Sequence, residues 1–301
     1  MTTRAAAPWT VLGVPIDSVG APDGGPPFGT ELSPHVLRGL GLVDRLGARD
    51  RGDLDVRVTG SRRDTATGLV GGATVAPVVA EVRRATAELL AAGERPLLVG
   101  GCCTLLMGAF AGAADVRDDV ALVYVDGHLD VYDHVTSPTG EAADMPVAVL
   151  LGIGAPALLA ASGPHAPLRS GRLSVLGARD ADEAADVADL AARLGIVNEP
   201  PDVIARDPSA TASRALERVG NDGFWLHLDV DVLDATVIPA TDYLMPGGLD
   251  LGALTILLTA VGQDARLVGA SVACYNPSKD PQQRHGRELV DLLVEALGTT
   301  P

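Results

Sequence analysis

Two short stretches of the chain gather acidic and imidazole side chains at spacings that suit a divalent cation. In Asp126-Gly127-His128-Leu129-Asp130, two carboxylates and an imidazole alternate within five residues. In Asp229-Val230-Asp231-Val232-Leu233-Asp234, two carboxylates again stand two apart before a third. Each stretch follows an apolar run. If extended backbone persists beyond the first run, Asp126, His128 and Asp130 lean to one side at period two. A carboxylate buried without a partner costs several kcal/mol or is driven to its neutral form. Two facing acidic clusters therefore repel unless cations lie between them. Four or five carboxylates and one imidazole fit a pair of bridged divalent ions, which in such sites sit about 3.5–4 Å apart. Oxygen-rich ligation with one His favours manganese over zinc. Either stretch alone could be a solvated turn; the two together, each behind its own apolar run, carry the metal expectation. A third stretch, Gly100-Gly101-Cys102-Cys103-Thr104, lets the backbone turn tightly and opens a helix. A thiol near a helix N-terminus is acidified, so Cys103 is a candidate ligand, whereas Cys102 reads as a small core residue.

These clusters need strands to position them. Strands are expected over residues 10–14, 95–99, 120–125, 173–176, 223–228 and 267–272, as continuous apolar runs rather than alternating ones. Such runs suit a parallel sheet covered on both faces. Ala- and Leu-rich helical stretches lie between them, at 76–92, 103–114, 145–151, 182–194, 210–219, 251–261 and 281–297. The alternation predicts a three-layer α/β/α domain with right-handed crossovers, spanning 1–301 as one unit. In such sheets ligands bind beyond the carboxyl ends of the strands, where all three clusters fall. The Gly- and Pro-rich segment 20–29 reads as a surface loop.

The formal net charge is -16 and no run of Lys or Arg occurs, which argues against nucleic acid and anionic membranes as partners. Aromatics at 3% offer no base-stacking platform. Three cysteines, two of them adjacent, form no disulfide framework, and a reducing cytoplasm is the expected compartment. No 18-residue uncharged apolar stretch suits a membrane span.

In this order the three clusters resemble the signatures of the arginase/agmatinase, or ureohydrolase, family. Gly100–Thr104 resembles its Gly-Gly-Asp-His-Ser, 126–130 its Asp-Ala-His-x-Asp, and 229–234 its Ser-x-Asp-x-Asp-x-x-Asp-Pro. Weaker echoes at 29–38 (GTELSPHVLR), 176–182 (LGARDAD) and 274–277 (CYNP) extend the likeness across nearly the whole chain. The resemblance implies an arginase-like α/β fold with a mainly parallel sheet of roughly eight strands, and a site for two Mn2+ ions. Carried over motif by motif, Cys103, Asp126, Asp130 and Asp229 hold one metal. His128 and Asp231 complete the second, with Asp126 and Asp229 bridging. A metal-bridging hydroxide would attack a guanidino-type carbon, and His227 is a candidate for orienting His128. Family members are often trimers or hexamers, which makes a homo-oligomer possible, although no residue pattern marks an interface.

Three departures bear on the substrate. Cys103 stands where the family has a metal-binding His. Ala143 occupies the place of a proton-shuttling His, leaving His134, Glu141 and Asp144 as substitutes. Cys274 replaces a Glu that pairs with the substrate guanidinium, and a thiol cannot form that bidentate ion pair. Tyr132 and Asp182 fall where the substrate's amino-acid end would lie. These changes argue against plain L-arginine and resemble a variant that hydrolyses Nω-hydroxy-arginine, which also has a Cys ligand and lacks the shuttle His. The expected activity is hydrolysis of a C–N bond in a modified guanidino or amidino compound. The alternative is a non-catalytic, metal-binding relative; a one-zinc deacetylase on the related fold is the weakest reading.

Overall fold

The computed structural model describes residues 7–19, 29–180 and 185–298. Among these residues eight strands form one sheet: β1 (Trp9–Val14), β2 (Arg49–Asp53), β3 (Arg95–Gly100), β4 (Ala121–Val125), β5 (Leu173–Leu176), β6 (Asn198–Glu199), β7 (Phe224–Asp229) and β8 (Leu267–Ala273). Every pairing is parallel, and the order is β2-β1-β3-β8-β7-β4-β5-β6. The six strands expected from apolar runs are all present, in the α/β layering the alternation predicts.

The central strands are apolar on both sides because both sides are covered. Along β7, Trp225 packs into one core, while Phe224, Leu226 and Leu228 pack into the other. The first core includes helices Val75–Ala91 and Leu105–Ala114; the second includes Leu251–Gly262 and Arg284–Leu297. Two edge strands escape a hydrophobic reading. β2 is Arg-Asp-Arg-Gly-Asp, exposed at every position, and holds its place through backbone pairing with β1. β6 has only two residues.

Chain order and sheet order part company where it matters. β3 and β4 are consecutive in sequence, yet β8 and β7 are inserted between them. The chain builds outward in both directions and then returns to close the centre. The tips of β3, β8, β7 and β4 therefore stand side by side, carrying residues from four distant parts of the sequence. The register is also set: Tyr124, His227 and Ser271 lie in one row across β4, β7 and β8.

Candidate metal centre

The tips of β4 and β7 use the same local device. Asp126 Oδ1 accepts the amide of His128 at 2.7 Å, and Asp229 Oδ1 accepts the amide of Asp231 at 2.8 Å. Each carboxylate ties its own backbone two residues on, a turn that Asp favours. Both Oδ2 atoms then face the thiol of Cys103: Asp126 Oδ2 lies 3.7 Å away, and Asp229 Oδ2 is in direct hydrogen-bond contact. Asp126 and Asp229 are 1% and 2% exposed, so water does little to moderate their charge.

Cys103 reaches this point because the backbone before it can pass unusually close to its neighbours. A Cβ on Gly101 would lie 1.4 Å from the carbonyl oxygen of Ile16. Cys102 turns the other way, its sulfur accepting the amide of Ser18 at 3.3 Å, and burial pushes its thiol up to about 11. Cys274 sits just past β8, its amide donating to the Gly101 carbonyl at 2.7 Å. Its sulfur is 3.6 Å from that of Cys103.

Two groups of donors result. Ligand atoms of Cys103, Asp126, His227 and Asp229 lie within 4.8 Å of one another, as do those of Asp126, His128 and Asp231. Asp126 belongs to both. His128 contacts Asp231 Oδ2 at 3.1 Å through Nδ1. The loops are clamped by Arg179, whose amide donates to Gly127 O at 2.9 Å and whose guanidinium donates to Asp231 O at 2.9 Å.

The period-two expectation for residues 126–130 does not hold, because the strand ends at Val125. Asp130 takes a left-handed backbone, φ 50°, and its carbonyl accepts the amides of Val147 and Ala148 at a helix start. Its carboxylate lines the same cavity and accepts the Tyr124 hydroxyl at 2.5 Å, but lies outside both donor groups.

The protonation pattern shows what this crowding costs. Burial, followed by the Asp231 charge, raises Asp126 to about 6. Burial and neighbouring carboxylates push Asp130 and Asp229 well up. Asp231 is the exception: the adjacent His128 outweighs its burial and holds it low. His128 is raised in turn, its own burial outweighed by Asp231 and Asp126. Burial drives His227 down to about 3, so its ring is neutral. Protons are retained on carboxyls that a divalent cation would release, and the donor types suit such a cation.

Around these donors the described residues enclose a cavity of about 170 Å³. Six acidic side chains line it (Asp126, Asp130, Glu141, Asp144, Asp229 and Asp231), together with Tyr132, Ala143, Tyr243 and Cys274, and no Lys or Arg among the described residues does. Glu141 accepts the Tyr243 hydroxyl. Asp144 Oδ2 accepts Ser137 at 2.6 Å and Thr139 at 3.0 Å, while Oδ1 is buried without a hydrogen-bond partner among the described residues. Burial lifts Asp144 to about 7. His134 is not among the lining residues; its carbonyl is held by Arg63 at 2.9 Å in the loop behind. Asp182 falls outside the described residues.

Sequence reasoning left three contributors unused or misdirected. His227 contacts Cys103 Sγ at 3.5 Å rather than orienting His128, and Ser271 holds its other nitrogen at 2.7 Å. A signal existed: His227 stands two before Asp229, and strand alternation puts both on one face. Tyr124 likewise stands two before Asp126. Tyr243 comes from a loop whose path carries no such signal.

Fold and donor set together define an α/β protein whose central strand tips carry candidate metal-ligating residues. A sequence model described as the Arginase family matches residues 7–298, and the chain belongs to that family. An arginase of Brevibacillus brevis is 26% identical over 297 residues, covering 96% of this chain and 97% of that protein. An N(omega)-hydroxy-L-arginine amidinohydrolase of Streptomyces lavendulae is 29% identical over 202 residues, 67% of this chain and 68% of that one. Among solved structures, the arginase of Bacillus caldovelox matches with a TM-score of 0.88 at 24% identity, over 98% of this chain and 99% of that chain, a likeness of fold.

Proposed function

We propose that the protein is a single-domain hydrolase that cleaves a C–N bond of a modified guanidino or amidino compound, using a pair of divalent cations held by Cys103, Asp126, His128, Asp130, Asp229 and Asp231. The observation that carries this reading is the sharing of Asp126 between two donor groups in a cavity lined, among the described residues, by six acids and no Lys or Arg. Family membership supports the reaction class. Manganese is the expectation for oxygen-rich donors.

Bound cations would supply Lewis acidity and a water acidified toward neutral pH. The chain's own residues do the rest. Asp126 and Asp229 fix their free oxygens by engaging the others in backbone turns. Tyr124 holds Asp130. Asp144, poised at about 7 by burial, is matched to carrying a proton near neutral pH and would deliver it to the departing nitrogen. Glu141 and Tyr132 would bound the substrate's far end. Cys274 presents a thiol where a fully charged guanidinium would want a carboxylate, which favours a head group of lowered basicity such as an N-hydroxyguanidine. The relative from Streptomyces lavendulae bears such a substrate in its name. Three unpaired thiols suit a reducing, cytoplasmic setting.

The test is a substrate panel of arginine, N-hydroxylated guanidines and amidines, assayed with added manganese for urea, hydroxyurea and ammonia. Turnover confined to modified head groups is expected. Arginine turning over well above every analogue would overturn the substrate class. No C–N hydrolysis across the panel would leave a metal-binding relative without this activity.

A further inference from the structure

The two donor groups differ in chemistry as well as in position. One is two carboxylates and an imidazole; the other is two carboxylates, an imidazole and a thiol. We propose that His227 is a ligand of the cation held by Cys103, and that the set Cys103, Asp126, His227 and Asp229 selects zinc or another thiophilic divalent cation over manganese. The set of Asp126, His128 and Asp231 remains the harder of the two; the proposal rests on the two-cation reading above.

Two of the separations from the Cys103 sulfur match those of a tetrahedral site. Zinc–sulfur bonds of about 2.3 Å and zinc–nitrogen or –oxygen bonds of about 2.0–2.2 Å, at tetrahedral angles, set S···N and S···O edges of about 3.6 Å. Cys103 Sγ lies 3.5 Å from His227 Nε2 and 3.7 Å from Asp126 Oδ2. The closer Cys103–Asp229 contact is a hydrogen bond that a cation would replace by pushing the two atoms apart to that same edge.

His227 is held for this role by its neighbours. Its ring stacks on Tyr124 with centroids 5.3 Å apart and planes 12° from parallel. Nδ1 meets Ser271 Oγ at 2.7 Å, and that same oxygen accepts Trp225 Nε1 at 3.0 Å. Ser271 Oγ has two acceptor lone pairs, so it can take Nδ1–H as well as Trp225 Nε1–H; in that tautomer Nε2 carries the free lone pair and faces the thiol. A metal-binding imidazole is commonly oriented in this way, through its other nitrogen. The ring is completely buried within the strand. Thiolate and imidazole suit zinc, and manganese lies at the weak end of the affinity order for such donors.

The test uses the whole protein stripped of metal, then given one equivalent of zinc or cobalt against excess manganese. Metal content after gel filtration, the near-ultraviolet thiolate-to-cobalt band and X-ray absorption at the zinc edge are read. Wild type should retain one thiophilic cation, with one sulfur and at least one imidazole in its first shell. His227→Asn should weaken zinc binding by at least about 100-fold, the upper end of what losing an outer partner costs. Ser271→Ala should cost about 10-fold. Cys274→Ser should leave zinc retention unchanged, separating His227 from the neighbouring thiol as the second soft donor. A zinc spectrum with sulfur and no imidazole, or preferential uptake of manganese at both positions, would overturn the proposal. The wild-type spectra decide even if a variant fails to fold. Zinc bound by Cys and His without turnover would sink the hydrolase reading alone; turnover with two manganese ions would sink only this one.

Discussion

Two concave regions of this molecule are rich in charge, and they handle it in opposite ways. At one surface, Arg83 pairs with Asp115 at 2.7 Å and Arg169 with Asp119 at 2.7 Å, alongside Arg117, His165 and Arg172. Two of the three acids there, Asp115 and Asp119, have a base within reach, and water shares the load. At the strand tips, six acids meet with no Lys or Arg, mostly buried, and protons are drawn onto carboxyls at pH values where free Asp is ionised. The first region is a solvated surface in electrostatic balance. In the second, His128 offsets Asp231, and the remaining carboxyls either hold protons or meet a cation. Charge of one sign, buried and uncompensated, marks a binding centre better than charge density does.

That contrast is open to attack. Asp126→Ala removes the one residue common to both donor groups. It should lower turnover by roughly a thousandfold or more, several kcal/mol of lost charge stabilisation, and reduce bound metal below the wild-type stoichiometry. Full metal content in this variant would break the comparison.

Asp144 offers a test by stability. Its folded value of about 7 stands above the ordinary value of about 3.9 for an unfolded Asp. The folded state prefers the protonated acid, so the associated stability is fully present below about pH 4 and is lost as pH rises through about 7. Asp144→Asn cannot titrate and should remove that loss. Metal-free variant and wild type, compared by chemical denaturation, should diverge between about pH 4 and 7, in the variant's favour by up to about 4 kcal/mol. A constant difference across that range would show that Asp144 is not held protonated.

Tyr124→Phe leaves the cavity's shape and removes the hydroxyl that holds Asp130. Losses of this kind cost about 10–100-fold in metal affinity or activity, and a metal titration with steady-state kinetics would reveal it. At the balanced surface the effect should be smallest. Arg83→Ala should leave turnover at the wild-type level and change stability by less than about 1 kcal/mol, measured by denaturation. A large loss of activity there would erase the distinction between the two regions.

Much of this was legible in the residues themselves. The six apolar runs became strands because each is buried on both faces, where only side chains without polar groups are cheap. β2 was not legible: Arg49–Asp53 has no apolar residue and is held by backbone hydrogen bonds that composition does not encode. Asp126, His128, Asp229 and Asp231 stood out by spacing, and all four belong to the donor groups. Asp130 stood out equally, yet its left-handed backbone turns it toward Tyr124, a bend that no two-residue period foretells.

By itself, then, the amino-acid sequence determined the donor types, the strands that end in them and the family they belong to, because these depend on local pattern and burial. Only the tertiary structure decided which strand tips are neighbours. Inserting β7 and β8 between β3 and β4 brings Cys103 against Asp126 and Asp229, and aligns Tyr124, His227 and Ser271 in one row. The physical reason is that sheet order follows from long-range packing of both faces, whereas a side chain's neighbours across strands follow from register. Neither is written in any single stretch of chain.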